Sequence, residues 1–599
     1  MTGHRLRRWD HWLAPLLVAL LTCIVFAPAL RNGFVWDDDA MFLQNPYYRG
    51  LGWAQLGWML TTVHMAHYTP LSWITLGLDY LLWGMAPAGY HATNVVLHAA
   101  SAALFCRVAA RLLGKATAGS SGEAGLAVQG GAVLTALLFA AHPLRVESVA
   151  WVTERRDVLS GLFYLAAVLV YLRACEAEAE RGAPARGRYA ACLALFALAL
   201  SSKSMAVSLP VVLLILDVYP LRRLGGAVGW SGPAARRVWM EKLPFVLLSA
   251  AAGTVQLIAL VASGNAATVV RPGALGRVGI AVYGLALYFE KTVLPIGLSP
   301  LYELYPQPDF LAWPFLVSGA VVLGLTGLAL ALRTRWPALL AVWVSSVVIL
   351  LPVLGTVNTF QIAADRYTYL SGLGWALLGG GALAWWGGAR PGAGRNDQRA
   401  GFVIAALALV AVGALATLTV SQIQIWRDAE ALWAYALRVD ARSTVAHYNL
   451  GVIRMDEGRL EEAVERFAQA VRGRPDYAAA HNNLGLALIH LGRPAEAVEP
   501  LRRAVSLRPA SAFAHNNLGF ALMQLGRWAE ASAQFAEALR IDPNGAMAHA
   551  NWGEILLAQN RPAEALARFE RALALQPSLA GLTEARARAQ AALGRAERK

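Results

Sequence analysis

The sequence has only four cysteines in 599 residues, Cys23, Cys106, Cys175 and Cys192, each alone in or beside an apolar run. None has the spacing of a zinc site, and nothing suggests a disulfide framework, so neither staple is expected to organise the fold. Charge is scarce as well. Asp, Glu, Lys and Arg make up 15% of the residues while 57% are hydrophobic; ordinary soluble domains hold about 25% charged residues, which excludes a chain that is water-soluble throughout. Acidic residues are the rarer sign, 38 against 52 Lys and Arg, for a net charge of +14. The basic excess is spread over short loops and not gathered in one patch, so no nucleic acid partner is expected; the lipid bilayer is the first partner.

Apolar segments of spanning length run to about residue 421: 13–30, 90–110, 131–149, 158–173, 188–202, 204–220, 243–263, 311–332, 337–357, 367–388 and 402–421. These predict about eleven spans. Arg and Lys cluster in alternate loops, for example Arg107, Arg111 and Lys115, or Arg222, Arg223, Arg236 and Arg237, and the positive-inside rule makes those loops cytoplasmic. The segment 275–295 carries Arg277, Glu290 and Lys291, and counting it as a span would put the later basic loops on the wrong side, so an interfacial helix is expected there. Ala27-Pro28-Ala29 ends the first apolar run, but proline between the alanines does not suit signal cleavage, and the first span is expected to stay uncleaved. The outer loops are then 31–89, 142–157, 264–310 and 358–366. The N-terminus is cytoplasmic, and residues beyond 421 lie outside a bacterial inner membrane.

His447, His481, His515 and His549 recur every 34 residues, as do Gly451, Gly485, Gly519 and Gly553, and Pro475, Pro509, Pro543 and Pro577. That period marks tetratricopeptide repeats, helix pairs that bury their apolar faces only by stacking on neighbours. The expected organisation is a membrane domain over 1–421, a partial repeat and junction over 422–443, four repeats over 444–579, and a capping helix with tail over 580–599. The fold class is all-α: a polytopic helical bundle followed by an α-solenoid. Asn449, Asn483, Asn517 and Asn551 recur in the first helix of each repeat, where asparagine is a poor choice unless its amide is used. At this register the amides would line the groove and bind an extended peptide backbone, an arrangement that resembles the asparagine ladder of O-linked N-acetylglucosamine transferase. Hydrogen bonding between repeats is the competing use.

The outer loops carry the candidate chemistry. Asp37, Asp38 and Asp39 are adjacent; three neighbouring carboxylates repel, which raises at least one pKa and suits a general base or a metal ligand, with a solvated turn as the alternative. His142, Glu147, Arg155, Arg156 and Asp157 follow in the second loop. Ionisable groups at a bilayer edge are costly unless paired or wet. Arg155 and Arg156 stand on the outer side against the orientation rule, and phosphate binding or an intramolecular ion pair would each explain them. Lys203 in a short turn and Arg366 at the start of a span lie on the same side; with the two arginines they could hold an anionic headgroup. His91 and His98 share one helix face and are expected to be structural.

The order of these elements resembles the transmembrane and tetratricopeptide-repeat-containing family, whose members belong with GT-C glycosyltransferases and include protein O-mannosyltransferases. The likeness rests on Trp36-Asp37-Asp38-Asp39, His142-Pro143 with Glu147, Arg156-Asp157, and Leu294-Pro295 through Tyr302. It implies a GT-C membrane bundle that moves a sugar, mannose in some members, from a polyprenyl-phosphate donor to a hydroxyl of an exported polypeptide. Asp37 or Asp38 would be the base, with inversion at the anomeric carbon. Arg155, Arg156, Lys203 or Arg366 would hold the departing phosphate, with Asp39, His142, Glu147 and Asp157 in support. No cofactor is required, and a divalent metal is left open. A non-catalytic, membrane-anchored scaffold for protein partners is the alternative. A transporter would need a polar path, whereas the span interiors are mostly Ala, Leu and Val.

Overall fold

The computed structural model describes residues 3–117, 122–262, 273–303, 309–354, 361–389, 395–596 and 598; the expected outer loops 264–310 and 358–366 lie partly outside them. The chain forms two compact units, Met1–Leu432 and Trp433–Lys599.

In the first unit, six helices among the described residues are long and apolar enough to cross a membrane: Trp12–Arg31, Pro87–Ala116, Val152–Arg181, Pro233–Ala262, Trp313–Ala331 and Ala400–Trp426. A seventh is a pair, Gly125–Ala140 and Pro143–Ala150, bent by 57°. Proline causes that bend, because it has no N–H to donate and drives His142 out of the helical region, to ψ 132°. The other four expected spans are the shorter helices Arg186–Ser202, Ser204–Val218, Pro337–Leu350 and Thr368–Ala384. A helix of 17 residues such as Arg186–Ser202 is about 26 Å long, slightly under a hydrocarbon core of about 30 Å. Length and composition therefore single out six or seven spans where hydropathy counting gave eleven. The segment expected at the interface is the helix Ala274–Val293 and is not among these spans.

Two short strands, Tyr302–Glu303 and Gln361–Ala363, pair antiparallel and bring the Ser299-Pro300-Leu301-Tyr302 stretch to Asp365, whose carboxylate accepts the Tyr302 hydroxyl at 2.9 Å. The first loop is tied to the last span: Arg427 O accepts Gly33 N–H at 2.9 Å, and Ile423 O accepts Asn32 Nδ2 at 3.3 Å. His98 is structural, with Nδ1 against the Tyr369 hydroxyl at 2.9 Å and Nε2 against Ala140 O at 3.2 Å.

The second unit is a stack of helix pairs: Thr444–Asp456 with Leu460–Gly473, Ala478–His490 with Pro494–Leu507, Ala512–Gln524 with Trp528–Ile541, and Ala546–Ala558 with Pro562–Leu575. The helix Leu582–Ala596 follows and buries Leu582, Ala585 and Ala589. The periodic glycines are explained by contact. A Cβ on Gly451, Gly485, Gly519 or Gly553 would lie 2.4–2.7 Å from the ring of Phe467, Phe535 or Phe569 or from the Leu501 side chain. The periodic histidines each set Nε2 against the carbonyl oxygen six residues earlier, at 3.0–3.2 Å, and so fasten the preceding turn.

The asparagines do not present a free row of amides. Asn551 Nδ2 donates to Asn516 Oδ1, Asn516 to Asn517, Asn517 to Asn482, Asn482 to Asn483, and Asn483 to the Tyr448 hydroxyl, at 3.0–3.4 Å. Asn449 Nδ2 donates to Val445 O in its own helix. The competing use, hydrogen bonding within and between repeats, therefore takes one N–H of each of the four amides. Asparagine pairs at this spacing face one another across adjacent first helices, where an unmade amide bond would be costly, so they first bond between repeats.

Candidate functional site

The acidic loop begins with a left-handed residue. Trp36 has φ 58°, a conformation that costs an L-residue roughly 1–2 kcal/mol, and its ring stacks on Trp151 at 4.7 Å with planes 4° apart. Trp151 in turn stacks on Trp426 at 5.6 Å. The turn that follows separates the three aspartates. Asp38 is fully buried; its Oδ1 accepts Thr153 N–H at 2.9 Å and Thr153 Oγ1 at 2.6 Å, and its Oδ2 accepts Val35 N–H at 3.0 Å. Burial pushes the Asp38 carboxyl up to about 7, against the pull of these donors. Asp38 is thus the knot that ties the first loop to the second. Asp39 is exposed at the start of the turn Asp39–Leu43. Asp37 is half-buried; burial raises its pKa, while the nearby Arg156 and Arg366 cations draw it back down.

The second loop and its neighbours form a layered ion cluster. Glu154, at the end of the single turn Val152–Glu154, is the hub: its oxygens accept Arg156 Nη2 at 2.6 Å and Lys203 Nζ at 3.0 Å, and Arg366 Nε lies 3.3 Å away. Asp157 accepts Lys203 at 2.7 Å and Ser148 Oγ at 3.2 Å. Glu147, carried by the short helix after the proline bend, accepts both the Arg366 guanidinium and the Arg366 backbone N–H. Lys203 reaches in from an extended break between two helices, at φ −153°. The carboxylates lie deep, with side-chain exposure of 0–5%, and the cations Arg156, Lys203 and Arg366 lie above them at 10–13%. The outward layer is positive, and its inner charges are compensated. Arg366 also lies over the Trp151 ring at 5.4 Å, and the buried Trp151 indole N–H has no partner among the described residues.

Arg155 does not join this layer, which corrects its expected place in a phosphate site. It is fully buried and donates to Asp79 at 2.6 Å, to Tyr90 O at 2.9 Å and to Asn94. Successive helical residues point about 100° apart, so one of the two adjacent arginines faces the cluster and the other the interior. Asp79, 2% exposed, is the buried counter-ion. His142 sits outside the cluster: Nδ1 accepts Leu144 N–H at 3.2 Å, and Nε2 lies 3.1 Å from Thr292 O.

Two residues without a role assigned from the sequence belong to the site. Glu154 is the hub, and its only sequence signal is a carboxylate beside two arginines at a membrane edge. The second is His67. His64 and His67 exchange backbone hydrogen bonds at 3.1 and 2.9 Å around Met65 and Ala66, both left-handed at φ 48° and 64° without glycine. Such strain persists only where surrounding structure enforces it, and Gln256 Nε2 holds the Ala66 carbonyl at 2.8 Å. His67 reaches solvent, yet crowding by protein and the nearby Arg156 push its pKa well below the usual histidine range. Among the described residues no group of three His, Cys, Asp or Glu side chains is set to hold a metal. Glu147, Glu154 and Asp157 already spend oxygens on cations, so this donor set does not fit a divalent ion.

Sequence models described as Tetratricopeptide repeat match residues 424–465, 448–512 and 511–578, and those residues are such repeats. The human Protein O-mannosyl-transferase TMTC1 is 25% identical over 514 residues, 78% of this chain and 55% of that protein. The human Protein O-mannosyl-transferase TMTC4 is 31% identical over 179 residues, 28% of this chain and 24% of that protein. The chain thus spans between about a quarter and about half the length of these relatives. Among solved structures, "Crystal structure of YrrB: a TPR protein with an unusual peptide-binding site" is 26% identical, covers 31% of this chain and 90% of that one, and has a TM-score of 0.24.

Proposed function

We propose that this chain, similar as it is to the transmembrane, tetratricopeptide-repeat protein O-mannosyl-transferases, is a membrane glycosyltransferase that moves a sugar from a polyprenyl-phosphate donor to a hydroxyl of a polypeptide. The observation that carries the reading is the layering of the cluster, with Arg156, Lys203 and Arg366 held outward on buried carboxylates beside a half-buried Asp37. Fixed cations of this kind stabilise negative charge where it develops and need no rearrangement at the moment of reaction.

Asp37 takes the proton of the acceptor hydroxyl as its oxygen bonds to the anomeric carbon. The bond from that carbon to the phosphate oxygen breaks, and its electron pair leaves with the polyprenyl phosphate, whose added charge the three cations meet. One displacement without a covalent enzyme intermediate inverts the anomeric centre. Asp38, with both oxygens engaged, holds the loop in place. The repeats supply the polypeptide, and the second N–H of each asparagine amide remains for its backbone. The protein sits in a bacterial inner membrane with its N-terminus cytoplasmic and its repeats periplasmic.

The test offers membranes containing the protein a labelled sugar on polyprenyl phosphate and, separately, on a nucleotide diphosphate. Transfer to polypeptide is expected from the lipid donor alone, and Arg156→Gln should lower it at least tenfold. Transfer from the nucleotide sugar contradicts the donor assignment. Transfer from neither moves the reading to a membrane-anchored repeat scaffold.

A further inference from the structure

A second charged site lies at the other end of the helices that carry the first. A cavity of about 870 Å³ opens between the helices Arg155–Arg181, Arg186–Ser202 and Pro233–Ala262, within the size range of small-molecule pockets. Asp157 of the ion cluster and Glu178 of the cavity share one helix, and at 1.5 Å per residue they stand about 30 Å apart along it. Gln256, which holds the His67 turn, and Arg236 of the cavity repeat that spacing on another helix. This is the thickness of a hydrocarbon core, so the two sites face opposite leaflets.

The cavity wall is braced by ion pairs. Asp217 accepts Tyr171 Oη at 2.8 Å, Lys242 Nζ at 2.7 Å and Arg223 at 3.0 Å. Arg223 continues to Glu241 at 2.9 Å, and Arg237 takes Glu178 at 2.6 Å. These contacts use both lining carboxylates. Arg186 and Arg236 also line the cavity, and their guanidinium groups meet no carboxylate among the described residues. The Tyr189 hydroxyl on the same wall is shut off from solvent and has no partner among the described residues. The rest of the lining includes Leu193, Met240 and Pro244. Two unspent guanidinium groups and a hydroxyl donor beside an apolar wall match an anion that carries a hydrocarbon chain.

We propose that this cavity binds the phosphate of a lipid in the leaflet opposite the ion cluster, with Arg186 and Arg236 on the phosphate oxygens, Tyr189 donating to one of them, and the lipid chain along Leu193 and Met240. The site is separate from the transfer site and does not depend on the reading of that site.

The test uses the full chain in detergent, with bound lipid read by native mass spectrometry. The probes are phosphatidic acid, phosphatidylcholine and inorganic phosphate. Phosphatidic acid is expected to be retained at least tenfold over phosphatidylcholine, and inorganic phosphate to bind far more weakly than the lipid. Arg186→Gln with Arg236→Gln removes that preference; both side chains are exposed, so the fold is kept. Tyr189→Phe, which deletes only the hydroxyl, weakens retention several-fold. Equal retention of the two lipids, or an unaltered preference in the double variant, overturns the proposal. Inorganic phosphate binding as tightly as phosphatidic acid overturns the assignment to a lipid.

Discussion

Asp37 and Asp38 are neighbours in the chain, yet the left-handed backbone at Trp36 and the buried turn after it send their carboxyls to different partners. Asp38→Asn replaces an acceptor with a group that must turn an NH2 toward either Val35 N–H or the Thr153 donors. A buried polar mismatch of that kind costs about 1–3 kcal/mol, so the variant should unfold at a lower temperature in a thermal melt. Asp37→Asn, with its side chain half-exposed, should melt like the wild type. Asp37 also sets a pH dependence. Burial holds its pKa above the usual carboxylate value, and a base works only when ionised, so transfer should rise with pH with a midpoint above about 4. His67 is held neutral by its pKa shift, so His67→Gln should leave that midpoint in place; a midpoint that moves with His67 would assign the base elsewhere. Much of this site was legible, because ionisable residues at a bilayer edge are few and each invites an explanation. What the sequence could not separate was Arg155 from Arg156, or the buried Asp38 from the proposed base Asp37, since adjacent residues differ only in which way the backbone turns them.

Elements were readable where a period or a breaker wrote them. The 34-residue recurrence gives the repeats directly, and its glycines mark where one helix meets the aromatic ring or leucine of the next. Gly519→Ala would put a Cβ about 2.7 Å from the Phe535 ring. Overpacking of this kind costs about 1–3 kcal/mol, seen as earlier loss of helical signal on heating the isolated unit Trp433–Lys599, whose apolar core is drawn from its own helices. An unchanged melt would mean that the ring moves aside freely. His142-Pro143 likewise announces the bend that carries Glu147 into the cluster. The asparagines show the limit of periodicity: bonding between repeats and bonding to a peptide need the same residue at the same register, and only the amide directions decide. Span counting has a similar limit, because helices of 14 and 17 residues are ambiguous between a crossing and a shorter buried element.

At the scale of the molecule, one unit carries the ion cluster and the opposed cavity, and the other carries the repeats. The sequence conveyed this division through a change in composition and period. It did not convey the cavity, because its network joins Tyr171, Asp217 and Lys242 from three helices and Arg223 from a loop, with no local motif. The proposed sugar transfer from a lipid phosphate rests on the ion cluster and Asp37. The most direct measurement is the rate of labelled sugar transfer from polyprenyl phosphate to polypeptide, compared between wild type and Asp37→Asn at equal membrane levels. General-base catalysis contributes about a hundredfold to ten-thousandfold, and a loss in that range is expected for Asp37→Asn with its melting temperature unchanged. Equal rates in the two proteins would contradict it.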